Sequence, residues 1–209
     1  MHQYLFFIGN FPIRLYGIFF SLGIISGCIT AYFLLKKDRR GWESMFDLGL
    51  VIAFAGIVGG RLWDVFFFDW EYYHNHLLEI PYIWQGGMAI QGGIIFACIA
   101  AYFYLKKHQI PVLPFADTVT PGIILGQAIG RIANFMNGDA FGHPTGQDFG
   151  LLYPDTTLAY HTYGAQPLWP AEVWECQGDL LIFVLLLWYG CKTRTEGTTF
   201  CLYIMLYSL

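Results

Sequence analysis

Apolar residues in this chain run in long blocks, and the polar residues gather between them instead of alternating with them. The blocks predict helices at about 13–35, 45–68, 86–105, 112–135 and 176–191, with another beginning at 197–209. A helix needs roughly 20 residues to cross about 30 Å of hydrocarbon. The first four blocks have that length, and the fifth reaches it by starting nearer Val173. The sixth stops after 13 residues and reads as a span cut short. The expectation is an all-α polytopic transmembrane bundle of about six spans, the last incomplete, forming one membrane-embedded domain over 1–209.

One block breaks its own pattern. Gly122 to Gly142, GIILGQAIGRIANFMNGDAFG, starts as an apolar helix, then carries Arg131 and runs into Asn134, Asn137 and Asp139. A charge at membrane depth costs several kcal/mol (roughly 3 or more) unless something pairs with it. Such an arginine is a functional-site candidate, and a phosphate suits its planar, permanently charged fork. The competing reading pairs Arg131 with Asp139 or Glu175.

The basic residues fix an orientation. Lys36, Lys37, Arg39 and Arg40 follow the first block, Lys106 and Lys107 the third, and Lys192 and Arg194 the fifth, whereas 69–85 and 137–172 contain no Lys or Arg. Positive-inside bias places those basic loops in the cytoplasm and the N-terminus outside. Arg14, Arg61 and Arg131 are left over, all toward the outer half of the membrane. Arg14 reads as snorkelling to the interface. Arg61 sits three residues before Asp64, the spacing of an ion pair on one helix face.

Composition agrees: 56% hydrophobic and 12% charged residues is too apolar for an ordinary soluble domain. The absence of a basic stripe argues against nucleic acid. The five cysteines lie in apolar surroundings without metal-ligand spacing and read as small core residues. No cleavable signal peptide is evident, so the first block reads as a retained anchor.

Glycines recur at three- to four-residue spacing: Gly56, Gly59 and Gly60; Gly92 and Gly93; Gly122, Gly126 and Gly130. That spacing lets helix backbones approach closely in lipid. The doublets Gly86–Gly87 and Gly92–Gly93 flank Met88–Gln91 and should loosen the outer end of the third helix, suggesting a cavity open to the outer leaflet. The 137–172 loop, rich in Gly, Pro and aromatics, is too long for a mere connection and reads as a cap over a site.

No GxSxG, HExxH or phosphate-loop motif is present, and His74 and His76 lack a third ligand nearby, so neither a metal nor another cofactor is expected. What remains is a polar set on apolar helices: Tyr16, Arg61, Gln91, Arg131, Asn134, Asn137, Asp139, Glu172 and Glu175. Two arginines, amides and carboxylates suit a lipid phosphodiester whose headgroup must leave. If the second substrate brings the nucleophile, the protein need only position the groups and stabilise the leaving phosphate.

The block Gly126-Gln-Ala-Ile-Gly130-Arg131-Ile-Ala-Asn134-Phe-Met-Asn137-Gly138-Asp139-Ala-Phe-Gly142 resembles the signature of bacterial phosphatidylglycerol–prolipoprotein diacylglyceryl transferases, G-x-x-x-G-R-[IL]-x-N-F-[IM]-N-G-E-x-[WF]-G. Leu15-Tyr16-Gly17, Gly59-Gly60-Arg61-Leu62, Trp84-Gln85-Gly86-Gly87-Met88 and Asp117 echo the same family in the same order. The resemblance implies transfer of sn-1,2-diacylglyceryl from phosphatidylglycerol to the lipobox cysteine thiol of prolipoprotein signal peptides, giving a thioether and glycerol 1-phosphate. It implies a multi-pass protein of the bacterial inner membrane. Arg131 then looks like the phosphate-binding arginine, Asn134 and Gly142 like essential motif positions, and Tyr16 like a lipid-site residue. Arg131, Asn134, Gln91, Asp139 and Glu175 form the catalytic set, and Arg131, Arg61, Tyr16, Asn137 and Gly142 the substrate-binding set.

Three departures from the family pattern stand out. Gln91 occupies the place of a histidine and cannot accept a proton near pH 7. Trp169-Pro170-Ala171-Glu172-Val173-Trp174-Glu175 lacks a second histidine. The family's sixth-helix arginine and carboxylate lie beyond Leu209, so the chain reads as C-terminally truncated. The alternatives are a catalytically inactive relative binding lipid or precursor, and a small transporter with an anion site. The lack of internal two-fold repetition speaks against the transporter.

Overall fold

A computed structural model describes every residue except 1–3, 9–10, 40, 84–86, 191–194 and 209. Two short strands, β1 (Tyr4–Ile8) and β2 (Phe11–Arg14), pair antiparallel with Ile8 opposite Phe11. The helices follow: α1 (Leu15–Asp38), α2 (Met45–Trp63), α3 (Trp70–Tyr73), α4 (Ile90–Lys107), α5 (Val112–Asn137), α6 (Leu158–Tyr163), α7 (Ala171–Gly190) and α8 (Thr198–Tyr207). A π-helical turn at Asp64–Phe68 prolongs α2. Among the described residues three stretches are long and apolar enough to cross a membrane: Leu15–Asp38, Trp42–Phe68 and Val112–Asn137.

The elements match the expected blocks closely, with three differences, one being that the fifth helix, α7, starts at Ala171 instead of 176. The third helix starts at Ile90 instead of 86, after Gly87 at φ +72°, a conformation that side-chain-bearing residues rarely adopt. The N-terminal hairpin was not expected, because a four- or five-residue strand is too short to show a period. Of the expected features, Trp84, Gln85 and Gly86 of the W-x-G-G echo, and the basic residues Arg40, Lys192 and Arg194, lie outside the described residues.

The chain divides into two compact units, one of 1–38 with 116–209 and one of 39–115. In the second unit α2 packs along α4. A Cβ on Gly59 would meet the carbonyl of Gly92 at 2.6 Å, and one on Gly92 would run into Gly59 and Trp63. The glycines thus set the close approach of these two helices. The Ala89 N–H donates to the Gly60 carbonyl at 3.0 Å, fastening the start of α4 to α2.

In the first unit α1 crosses α5 by the same device. A Cβ on Gly27 would lie 2.6 Å from the Gly122 carbonyl, and one on Gly23 would lie 2.8 Å from that of Gly126. Gly122 and Gly126 belong to the expected stripe. Gly130 has no neighbour from another described element within 4 Å of where its Cβ would sit, so the stripe ends one turn short of Arg131.

Asp117 on α5 organises α8. Its two carboxylate oxygens accept the N–H groups of Gly197 (2.7 Å) and Phe200 (2.9 Å), which the first turn of a helix leaves without partners. An anion here also faces the positive end of the helix dipole. Asp117→Ala should destabilise the unit by about 1–2 kcal/mol. Thermal unfolding in detergent checks this, with Asp117→Asn expected to fall between.

Candidate active site

Helix α5 ends in a closed polar turn. Gly138 takes φ +72°, and its N–H donates to the Asn134 carbonyl at 2.8 Å, a left-handed helix stop. A side chain there would strike Thr157, with Cγ2 only 2.5 Å from the added Cβ. Beyond it the Asp139 carboxylate receives two donors, Nδ2 of Asn134 at 2.7 Å and Nδ2 of Asn137 at 2.6 Å. Asn134, Asn137 and Asp139, picked out separately from the sequence, form one unit in which both amides hold the carboxylate. Tyr16 in the first turn of α1 stacks on Phe20 and lies within electrostatic reach of Asp139.

Gly142 is a glycine for a steric reason. A Cβ there would lie 2.6 Å from the Trp169 carbonyl oxygen, to which the Gly142 N–H itself donates at 3.1 Å. That bond starts a seam along the 138–170 segment. Leu151 and Leu168 exchange backbone hydrogen bonds, and the Trp169 N–H reaches the His143 carbonyl. Tyr153, Ala159 and Leu168 form a small buried core, against which Phe141, Leu151 and Tyr163 pack. The Tyr153 hydroxyl donates to both oxygens of Glu172, at 2.7 and 2.9 Å, and ties this segment to the first turn of α7. Burial, then the hydrogen bond and charge of Glu172, hold that hydroxyl protonated well above the ordinary phenol range.

Arg131 faces α7 and α8. One guanidinium nitrogen lies 2.9 Å from Oε2 of Glu175, and another donates to the Tyr207 hydroxyl at 3.1 Å. The Arg131 side chain is 24% exposed and that of Glu175 48%, so the pair can be reached from outside. Of the two anions considered from the sequence, Glu175 is the partner, and Asp139 is occupied by the asparagines. One turn along all three helices lies a second polar layer. Tyr203 donates to Oε1 of Gln127 at 2.9 Å, and Asp179 lies buried within electrostatic reach of Arg131, Glu175 and Tyr203.

Arg61 and Gln91 belong to the other unit. Arg61 is only 4% exposed, and its guanidinium donates to the carbonyls of Ile80 (2.8 Å), Gly87 (2.9 Å) and Glu79 (3.2 Å) while facing the Tyr73 ring. Its separation from Asp64 is 3.9 Å, so the carbonyls are its close partners, and the i,i+3 ion pair is the weaker contact. Gln91 stands exposed in the first turn of α4. Among the described residues no group of three or more His, Cys, Asp or Glu side chains is placed to hold a metal ion.

Sequence reasoning did not single out Gln127, Tyr153, Asp179, Tyr203 or Tyr207. For Asp179 a signal was present, since it is a carboxylate inside an apolar run. Tyr203 and Tyr207 stand four residues apart on a short apolar helix, which is the spacing of one helix face.

Residues 3–209 match the family model for prolipoprotein diacylglyceryl transferase. A phosphatidylglycerol–prolipoprotein diacylglyceryl transferase of Clostridium botulinum (strain Langeland) is 34% identical over 209 residues, covering all of this chain and 82% of the relative. One from Clostridium kluyveri (strain ATCC 8527) is 35% identical over 204 residues, covering 98% of this chain and 80% of the relative. With the match extending over the polar turn, the arginine and the glycine contacts alike, the chain belongs to the prolipoprotein diacylglyceryl transferase family.

Proposed function

We propose that this protein transfers the diacylglyceryl group of phosphatidylglycerol to the lipobox cysteine of a prolipoprotein, with Arg131 as the anchor for the phosphate. The observation that carries the assignment of Arg131 is its pairing with Glu175 at 2.9 Å, which puts an anionic oxygen on an accessible guanidinium. A phosphodiester oxygen can take that place, in the geometry arginine offers to carboxylate and phosphate alike. The precursor supplies its cysteine as thiolate. Its sulfur attacks the sn-3 carbon of the diacylglyceryl group, the bond from that carbon to the bridging phosphate oxygen breaks, and glycerol 1-phosphate leaves with the bonding pair. Negative charge grows on the departing phosphate, and Arg131 opposes it.

Each motif residue takes a role within its own unit. Asn134 and Asn137 fix the Asp139 carboxylate, and Gly142 lets the 138–170 segment close against Trp169. Tyr16, beside Asp139, borders the lipid. Arg61, occupied by three carbonyls, holds Glu79, Ile80 and Gly87 and contributes to substrate binding through them and its charge. Gln91 serves as a hydrogen-bonding group in place of histidine. The frame for these roles is a single membrane-embedded domain of six spans in the bacterial inner membrane, with the N-terminus outside and 137–172 as an outer cap. The basic residues after α1, α4 and α7 support this orientation.

The test is transfer of labelled diacylglyceryl from phosphatidylglycerol to a lipobox peptide by the purified chain, with a serine-for-cysteine peptide as control. Thioether formation on the cysteine peptide alone is expected, and no modification of either would overturn the assignment. Since Glu175 must leave Arg131 for phosphate to enter, Glu175→Gln should raise the affinity for glycerol 1-phosphate about 10-fold, as removal of a competing anion does. Turnover in the same variant should fall; titration calorimetry beside the transfer assay separates the two effects.

A further inference from the structure

Helices α5, α7 and α8 meet in two polar layers, and the upper one, Arg131–Glu175–Tyr207, is accounted for by phosphate. The lower layer lies four residues away on each helix, at Gln127, Asp179 and Tyr203. Four residues are about 6 Å of helix. Within it Asp179 is 4% exposed, and its Oδ2 has no hydrogen-bond partner among the described residues. An acceptor buried without a partner is costly, and native structures hold few of them. The Gln127 carbonyl oxygen, by contrast, is satisfied by Tyr203.

Asp179 lies on the same face of α7 as Glu175, within electrostatic reach of both Glu175 and Arg131. A phosphodiester on Arg131 has two ester arms. One carries the diacylglyceryl group toward lipid, and the other carries the headgroup. A three-carbon polyol arm spans roughly one helical turn from its phosphorus, the step from the Arg131 layer to Asp179.

We propose that Asp179 selects the headgroup, its free Oδ2 accepting a hydrogen bond from a hydroxyl of the polyol whose phosphate rests on Arg131. The proposal builds on the transferase reading and adds the reason a polyol headgroup is used. A site with a buried acceptor rejects an analogue lacking the donor, because the acceptor is then left unpaired. Asp179 is a binding residue that makes and breaks no covalent bond.

Binding of glycerol 1-phosphate and of propyl phosphate, which has the same phosphate and carbon count without free hydroxyls, tests this by titration calorimetry on the purified full chain. The unaltered protein should favour glycerol 1-phosphate by at least about 10-fold. Asp179→Leu removes the acceptor and replaces a buried orphan with an apolar group, so the fold is kept and the preference should shrink to within about 2-fold. Asp179→Asn retains an oxygen acceptor and should keep most of the preference. A preference unchanged in Asp179→Leu, or absent from the unaltered protein, overturns the proposal. Transfer from phosphatidylglycerol and from phosphatidylpropanol should show the same ratios. An intact binding preference without any transfer would sink the transferase reading alone and leave Asp179 as a polyol-phosphate contact.

Discussion

Arg131→Ala should lower diacylglyceryl transfer by roughly 10³-fold, the scale expected when a lone charge-stabilising donor is removed from the transition state. Two observations set the size. Arg131 is the cation in a group that otherwise supplies carboxyl groups, those of Glu175 and Asp179, so no other positive charge among the described residues of that group takes over. Its side chain is also held from two sides, by Glu175 and by the Tyr207 hydroxyl, so its position is fixed before substrate arrives. Arg131→Lys keeps the charge but loses the fork and should retain more, within about 10²-fold of the unaltered protein. Transfer to a lipobox peptide measures both, and thermal unfolding in detergent confirms that the variants fold. An alanine variant turning over at the normal rate would remove Arg131 from the chemistry.

The second large effect is on the fold. Gly27→Leu should destabilise the protein by at least about 3 kcal/mol, at the upper end of overpacking costs. The added Cβ would press to 2.6 Å from the Gly122 carbonyl, which is backbone and cannot rotate away. The variant should unfold at a clearly lower temperature in detergent or fail to accumulate. Gly130→Ala is the control, since no atom of another described element lies within 4 Å of the added carbon, and it should unfold with the unaltered protein. Equal losses in both variants would show that helix flexibility matters at these positions and that the α1–α5 approach does not.

Much of this architecture is legible in the sequence because lipid demands long uninterrupted apolar runs, and α1, α2, α4 and α5 start and stop close to where those runs do. The polar turn at 134–139 was legible because its members are neighbours in sequence and out of place on an apolar helix. The pairing of Arg131 with Tyr207 and the capping of α8 by Asp117 were not. They join residues 76 and 80 or more positions apart, and no local period encodes such a partner. Arg61 shows a subtler limit. Its partners are backbone carbonyls at 79, 80 and 87, and a carbonyl leaves no mark on residue identity. Glu172 could be seen as polar, but only the fold brings Tyr153 onto both its oxygens.

The 76 residues separating Arg131 from Tyr207 also impose a schedule on synthesis. At about 5–20 residues per second, a ribosome finishes the whole 126–142 motif roughly 3–13 s before it reaches the tyrosine. The α8 turn that Asp117 caps is made in the same late interval. During that time the nascent chain carries the complete family signature and an arginine still lacking one of its two supports. Under the role proposed for Arg131, the support from Tyr207 is therefore added only when α8 docks, well after the motif residues have left the ribosome.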